Sequence, residues 1–311
     1  MIREAPAPQV LAIVGPTGTG KSELGLELAA RFDGEVVNAD SMQVYRGMDI
    51  GTAKLAEAQR RGVAHHLLDV WDVSVAANVA DYQVLARRAI TEIQERGRLP
   101  ILVGGSGLYV WAVLYDLQFP GHDADVRAAL EAELAERGSQ ALHRDLARVD
   151  PAAAEAILPG NGRRIVRALE VIALTGAPFN AALGAPAPVF DHLTMGLTMD
   201  RPRLDARLAA RVEDMWAQGL VDEVRTLPGL RDSPTAAYAL GYRQVLDFLA
   251  GGCTEDEART ATVRGTRKFA RRQESWFRRD DRTVWVEAQA ADTGRCAQLA
   301  VERFRLSGSC A

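Results

Sequence analysis

The 311 residues are 48% hydrophobic and 25% charged, enough for one large domain or two ordinary ones with a real core. A net charge of −4 excludes any global pull towards nucleic acid, so a nucleic-acid surface must be a local patch. Cys253, Cys296 and Cys310 form no C-x-x-C pair and no apolar run reaches membrane-spanning length, so zinc, disulfide and membrane classes are not indicated.

Residues 1–9 hold Pro6 and Pro8 and no apolar run, and read as a loose tail rather than a signal peptide. The cytoplasm is the expected compartment. Val10–Val14 is apolar throughout and reads as a short buried strand. It runs into Gly15, Pro16, Thr17, Gly18, Thr19, Gly20, Lys21 and Ser22, which fit the P-loop pattern G-x-x-x-x-G-K-[ST]. Leu24, Leu26 and Leu28 follow in a helical context. Such a loop turns backbone N–H groups onto phosphate oxygens, and the helix N-terminus adds positive potential. Lys21 supplies a point charge and Ser22 a hydroxyl for Mg²⁺. The pattern implies a bound di- or triphosphate and does not say which.

Glu35–Ala39 reads as a second strand, ending at Asp40. In open α/β sheets ligands sit at the carboxyl ends of strands, which puts Asp40 beside the P-loop. A turn or N-capping aspartate is the plainer alternative. His65 and His66 lack metal-ligand spacing. Ala80–Arg96 reads as an amphipathic helix with Tyr82, Leu85, Ala89 and Ile93 on one stripe. Leu99–Val103 is a third strand running into Gly104-Gly105-Ser106, where a P-loop kinase or GTPase would usually carry a metal-binding aspartate.

After Pro120 the composition turns to Ala, Glu and Arg. Asp123–Asp150 reads as two helices broken near Gly138-Ser139, Pro151–Leu158 as a short helical piece, and Gly162–Gly176 as a helix with Ile165, Ala168, Leu169 and Ile172 on one face. Arg163, Arg164 and Arg167 crowd its first turns, where cations are unfavourable by roughly 0.3–1 kcal/mol each. That suggests an anionic partner, with solvated surface arginines as the alternative. Ala177–Pro188 looks like a linker. Leu193–Met199 reads as a returning strand and Arg203–Gly219 as a helix with Leu204, Leu208, Val212 and Met215 inward. Arg203, Arg207 and Arg211 share another stripe, where an anion would relieve their repulsion. Thr254-Glu255-Asp256-Glu257 is a capping box. It opens a helix carrying Arg264, Arg267, Lys268, Arg271 and Arg272, with Phe269, Trp276 and Phe277 interleaved. That mixture suits phosphates and unstacked bases, or equally a solvated basic face over an aromatic core. Thr283–Glu287 reads as a last strand.

Taken together, Gly15–Ser22, Asp40–Lys54, His65–Asp69, Gly104–Tyr109, Arg163–Val171, Leu240–Gln244 and Phe269–Trp276 resemble the bacterial tRNA dimethylallyltransferases, the delta(2)-isopentenylpyrophosphate transferase family. The resemblance implies transfer of a dimethylallyl group from its diphosphate to the exocyclic amine of the adenosine 3′ of the anticodon, with Mg²⁺. By that likeness Gly15–Ser22 and Arg211 hold the diphosphate, and Asp40 is the general base. Ser41, Met42 and Gln43 hold the adenosine, and Ser106 offers a hydroxyl to the leaving group. Arg127, Arg163, Arg164, Arg167 and Arg243 meet tRNA. Gly18-Thr19 and Arg163 depart from the commoner Ala-Ser and Gln. The implied fold is α/β, a P-loop NTPase-like parallel sheet with an inserted α-helical subdomain. Its parts are 10–119 as first part of the core, 120–190 as the tRNA-binding insertion, and 191–311 as second part with basic C-terminal helices. Partners would be the tRNA anticodon arm and dimethylallyl diphosphate, with no membrane, and a monomer is expected. A prenyltransferase of free adenine nucleotides, a P-loop small-molecule kinase and a non-catalytic RNA-binding protein stay open as alternatives.

Overall fold

In the computed structural model of the chain, which describes residues 9–179 and 187–288, the apolar run Val10–Val14 is strand β1, buried at every position. Helix α1 (Lys21–Phe32) lays Leu24 and Leu28 on it, then β2 (Gly34–Asn38) and the two-residue β3 (His65–His66) follow. Helix α2 (Val79–Glu95) is capped by Asn78, whose side chain accepts the Asp81 N–H. Strand β4 (Leu99–Val103) and helix α3 (Gly107–Leu114) complete the first half. The chain then makes four helices: α4 (Ala124–Arg137), α5 (Ser139–Val149), α6 (Pro151–Ala156) and α7 (Gly162–Thr175). It returns through β5 (His192–Thr198), α8 (Arg201–Ala217), α9 (Leu220–Thr226), α10 (Tyr242–Leu249), α11 (Glu255–Phe277) and β6 (Val284–Glu287).

The six strands form one sheet of order β3-β2-β4-β1-β5-β6, with every pairing parallel. A parallel sheet needs both faces covered, and its strands read as continuous apolar runs. Leu11, Ile13, Ile101, Val103, Leu193 and Met195 supply that core on β1, β4 and β5. The chain separates into two compact units, 1–114 with 190–311, and 115–189. The second unit has its own core, centred on Leu142, Leu146, Ile157, Ile165 and Val166. No helix among the described residues is long and apolar enough to cross a membrane.

Several local readings shift. On α8 the buried fourth position is Trp216, not Met215, because Leu204, Leu208, Val212 and Trp216 keep strict i, i+4 spacing. On α2 the buried stripe includes Ala86 and Ile90 beside Tyr82, while Leu85 is only half-buried. On α7 the buried face includes a carboxylate, Glu170. Of the segment read as a linker, residues 180–186 lie outside the described residues, as do residues 1–8, Cys296 and Cys310.

One acidic side chain is buried at the sheet's amino-terminal edge. Glu35 is 3% exposed, and Arg96 bonds both its oxygens, at 2.7 and 3.2 Å. Arg98 Nη1 adds a bond at 3.2 Å, and His66 Nε2 lies 2.6 Å away. The Arg96 bond is the largest influence; it outweighs burial and, with His66, holds the Glu35 carboxyl down to about 2. Glu35→Gln should therefore lower stability to urea at pH 7 by about 1–3 kcal/mol, the cost of losing a charge-assisted bond whose arginine partners keep access to water. A depressed folded-state value means the stabilisation is complete above the ordinary 4.5 and is lost as pH falls towards 2. The gap between wild type and variant should close across that window, and a constant gap would exclude the ionic explanation.

Candidate active site

The carboxyl ends of β1, β2, β4 and β5 converge. The chain leaves β1 towards β2 on one side, while the adjacent β4 leads to β5 on the other, so a crevice opens at the carboxyl ends of these two strands. There a cleft of about 450 Å³ is lined from the P-loop by Thr17, Gly18, Gly20, Lys21 and Ser22. Asn38, Asp40 and Gln43 line it after β2, Gly104 and Gly105 after β4, and Arg207 and Arg211 from α8. A larger groove, about 860 Å³, runs along the basic face of α11 with Arg259, Arg264, Arg267 and Lys268, but lies away from the strand ends.

The loop's three glycines, Gly15, Gly18 and Gly20, take positive φ, which bends the chain back into α1. Thr19 is buried and donates to the Pro16 carbonyl at 2.8 Å; Lys21 Nζ donates to the same oxygen at 2.7 Å. Gly15, Pro16 and Thr19 are thus the loop's backing rather than its lining. Burial lowers the Lys21 ammonium to about 7, with Asp40 opposing and Arg211 reinforcing the shift. Burial also lowers Arg211, opposed by Asp40 and reinforced by Arg207. Arg211 Nη1 reaches Thr17 Oγ1 at 3.4 Å. Lys21 and Arg211, both half-buried, stand beside Asp40, with Glu23, Arg207 and Asp214 also on the cleft wall. This cation pair next to the loop amides suits an anionic ligand.

Asp40 combines the two roles that the sequence left open. Its Oδ1 accepts the Met42 N–H at 2.9 Å, a turn-forming bond, while the residue lines the cleft. The buried Asn38 grips it from below: Asn38 Oδ1 accepts the Asp40 N–H, and Nδ2 donates to the carbonyls of Asp40 and Leu67. Gln43 lines the cleft and donates to the Thr52 carbonyl at 3.0 Å. Ser41, Met42 and Ser106 do not line it. The Ser106 hydroxyl instead accepts the Ser41 N–H at 3.0 Å and donates to Ser41 Oγ at 3.1 Å. It therefore holds the Asp40 segment against the β4 turn.

The rest of the 40–54 loop is fixed by one internal ion pair and by partners outside its own sequence. Lys54, 3% exposed at its side chain, bonds Asp49 at 2.7 Å and Asp69 at 2.6 Å. Glu223 on α9 accepts three consecutive N–H groups, from Asp49, Ile50 and Gly51, and the Tyr242 hydroxyl. Asn38 had a signal in the sequence, a polar residue closing a strand before an aspartate. Glu223 had none, because its partners are backbone amides more than 170 positions away.

In the helical unit, Glu170 is fully buried, and Arg127 binds it through Nε and Nη2. Arg167 adds a bond at 2.7 Å and donates to the carbonyls of Pro120 and Gly121. Arg127 and Arg167 thus share an internal carboxylate, and both retain exposed surface. Arg163 and Arg164 are exposed on α7. Arg243 is exposed on α10 and does not line the cleft. His65 and His66 face Val63 and Glu35, and among the described residues no group of three or more His, Cys, Asp or Glu could hold a metal ion. The oxygens at the cleft, Ser22 and Asp40, fit Mg²⁺, which keeps several waters and binds through substrate phosphates plus one or two protein oxygens.

The model of a family described as IPP transferase matches residues 43–280. The tRNA dimethylallyltransferase of Streptomyces avermitilis is 61% identical over 298 residues, covering 95% of this chain and 96% of that one. That of Thermobifida fusca is 61% identical over 290 residues, 91% of each chain. The crystal structure of the full-length tRNA isopentenylpyrophosphate transferase from Bacillus halodurans is 44% identical, with a TM-score of 0.71, covering 96% of this chain and 97% of that one. A eukaryotic dimethylallyltransferase seen acting on tRNA is 25% identical, with a TM-score of 0.79, over 96% of this chain and 79% of its own. Since the family match spans most of the sequence, and whole-length relatives share well over half of its residues, the chain belongs to the IPP transferase family.

Proposed function

We propose that the chain transfers a dimethylallyl group from dimethylallyl diphosphate to the exocyclic amine of the adenosine 3′ of the anticodon in tRNA. The observation that carries the reading is the cleft in which half-buried Lys21 and Arg211 stand beside Asp40 at the end of a P-loop strand. Breaking the allylic carbon–oxygen bond puts negative charge on the leaving diphosphate. Lys21, Arg211 and the N-terminus of α1 stabilise that charge in a site of reduced polarity. Bound at Ser22 and the diphosphate, Mg²⁺ would supply further charge neutralisation. The adenine amine is a weak nucleophile, because its lone pair is delocalised into the ring. Asp40 takes its proton as the new carbon–nitrogen bond forms. A base stacked in an anticodon loop must be flipped out to reach the cleft, at a cost of a few kcal/mol. Gln43 contacts it from the cleft wall, and Ser41 and Met42 hold the adenosine from the adjoining turn, which Ser106 supports through Ser41. Arg163, Arg164, Arg127, Arg167 and Arg243 bind tRNA phosphates, the enzyme works as a monomer, and its compartment is the cytoplasm.

The direct test incubates the purified protein with Mg²⁺, dimethylallyl diphosphate and unmodified tRNA, then digests the tRNA and assays for a prenylated adenosine. γ-Phosphate transfer from labelled ATP, without prenylation, would favour the kinase alternative. Asp40→Asn keeps the shape and removes the proton acceptor. Transfer should fall about 10²–10⁴-fold with tRNA affinity little changed, and near-normal turnover would remove Asp40 from the chemistry.

Lys21 makes a prediction about protons. With its ammonium near 7 in the free cleft, Lys21 is mostly neutral at pH 8, and an arriving anion restores its charge. Binding of inorganic diphosphate at pH 8 should take up protons, read by calorimetry in buffers of different ionisation enthalpy. Lys21→Arg stays charged throughout, so its uptake should be smaller by up to one proton. Equal uptake in both proteins would show that Lys21 is already protonated. For tRNA, Arg164→Ala should shallow the plot of log affinity against log salt by about 0.7–0.9, the worth of one phosphate contact. An unchanged slope would take Arg164 out of the RNA interface.

A further inference from the structure

Helix α11 reaches the cleft from behind through one buried side chain, Gln273, which is 5% exposed. Its Oε1 accepts the Thr17 N–H at 2.8 Å, and its Nε2 donates to the Gly105 carbonyl at 2.9 Å. Only one orientation of the carboxamide satisfies both partners, since an amide N–H needs an acceptor and a carbonyl a donor. The two bonds tie the P-loop to the turn after β4, segments far apart in sequence that form neighbouring walls of the cleft. Gly105 permits the approach: a Cβ there would lie 2.2 Å from Gln273 Nε2. One turn further along α11, Trp276 packs on Gly107, where a Cβ would lie 2.2 Å from its Cδ1, and meets Trp111 with ring centroids 5.3 Å apart.

We infer that Gln273 is a positioning residue of the diphosphate site, setting the separation of the P-loop from the Gly104–Ser106 turn and the direction of their polar groups. The inference rests on the diphosphate reading of the cleft. Gln273 holds the Gly105 carbonyl in a bond to its own amide, so that an acceptor oxygen on the cleft wall is not turned towards an anion. It also engages the Thr17 N–H, which leaves phosphate recognition to Lys21, Arg211 and the loop amides beyond Thr17. With the carboxamide removed, both walls lose their common anchor, and the donors on them no longer address one ligand together.

The test compares wild type, Gln273→Ala and Gln273→Glu as full-length proteins, with thermal unfolding as the check on folding. Gln273→Glu keeps an acceptor for Thr17 but sets a carboxylate against the Gly105 carbonyl. Steady-state transfer to tRNA should show KM for dimethylallyl diphosphate raised on the order of tenfold in both variants, with KM for tRNA changed less than threefold. Affinity for inorganic diphosphate, measured by calorimetry without tRNA, should fall in parallel. A merely structural role would reduce the active fraction, lowering kcat with the donor KM and diphosphate affinity unchanged, and that outcome overturns the inference. If Gln273→Ala fails to fold, Gln273→Glu decides by the same readouts. If neither folds, Gly105→Ala, which pushes on the same carboxamide, must raise the donor KM or the inference falls. Wild type that binds diphosphate yet prenylates no tRNA would sink the proposed reaction and leave the calorimetric comparison to judge Gln273. Wild type that binds no diphosphate would overturn both.

Discussion

Lys21 and Arg211, held close together beside Asp40, are costly to keep charged, and the surroundings of the cleft answer that cost. Lys21 and Arg211 are both depressed by burial, both are eased by Asp40, and each is worsened by a neighbouring cation. The N-terminus of α1 adds positive potential at the same point. Glu23, Asp214 and Arg207 also line the cleft, so the pull on an arriving anion is local to Lys21, Arg211 and the loop amides rather than a net charge of the whole cleft. Lys21 can meet part of the cost by shedding its proton in the free protein and regaining it when the anion enters. Arg211 has no such freedom, because a guanidinium stays charged. The arrangement thus combines one fixed cation with one adjustable cation, which grades the attraction according to the charge of the ligand.

The loop that carries Asp40 and Gln43 is held in a different way from the P-loop. Its anchors are Lys54 with Asp49 and Asp69, Glu223 with three backbone amides, Asn38 beneath Asp40, and Ser106 against Ser41. None of these groups except Asn38 lines the cleft. Charge-assisted bonds to backbone amides fix a loop without placing further side chains against the ligand. A proton acceptor must stand within hydrogen-bond reach of its donor to act, and small displacements lose much of the rate. Fixing the loop from outside leaves the cleft wall free for recognition and keeps Asp40 where the cations need it.

The sequence displayed those parts of the fold whose signals are local. Val10–Val14, the P-loop, Leu99–Val103 and the Thr254 capping box are contiguous patterns, and each takes the form its pattern predicts. The short β3 was not legible, since two histidines carry no period, and pairing with β2 makes them a strand. Asp40 was legible from its place at a strand end. The Ser106 hydroxyl was not, because its partner depends on how closely β2 and β4 approach. Glu170 was hidden for a related reason: an acid within an apolar helix face reads as an interruption until Arg127 and Arg167 are brought to it. Gln273 and Glu223 bond to backbone groups far along the chain, and no single-sequence pattern marks such partners.

The glycines after β4 connect the sheet's geometry to its chemistry. A P-loop phosphotransferase keeps a carboxylate near that strand end to hold its metal. Here a Cβ on Gly104 would lie 2.1 Å from the Ala39 carbonyl oxygen, closer than any side chain can come. The close approach is held by bonds from the Ala39 N–H to Val103 and from the Ser106 N–H to Ala39. An aspartate at Gly104 would force β2 and β4 apart, and with them the Ser41–Ser106 contact that supports the Asp40 segment. The strand-end carboxylate of this cleft, Asp40, therefore follows the neighbouring strand β2. In the proposed reaction that place lets it face the group that attacks the allylic carbon. Moving the carboxylate by one strand suits the sheet, in that proposed reaction, to taking a proton from an acceptor rather than to activating a phosphoryl group.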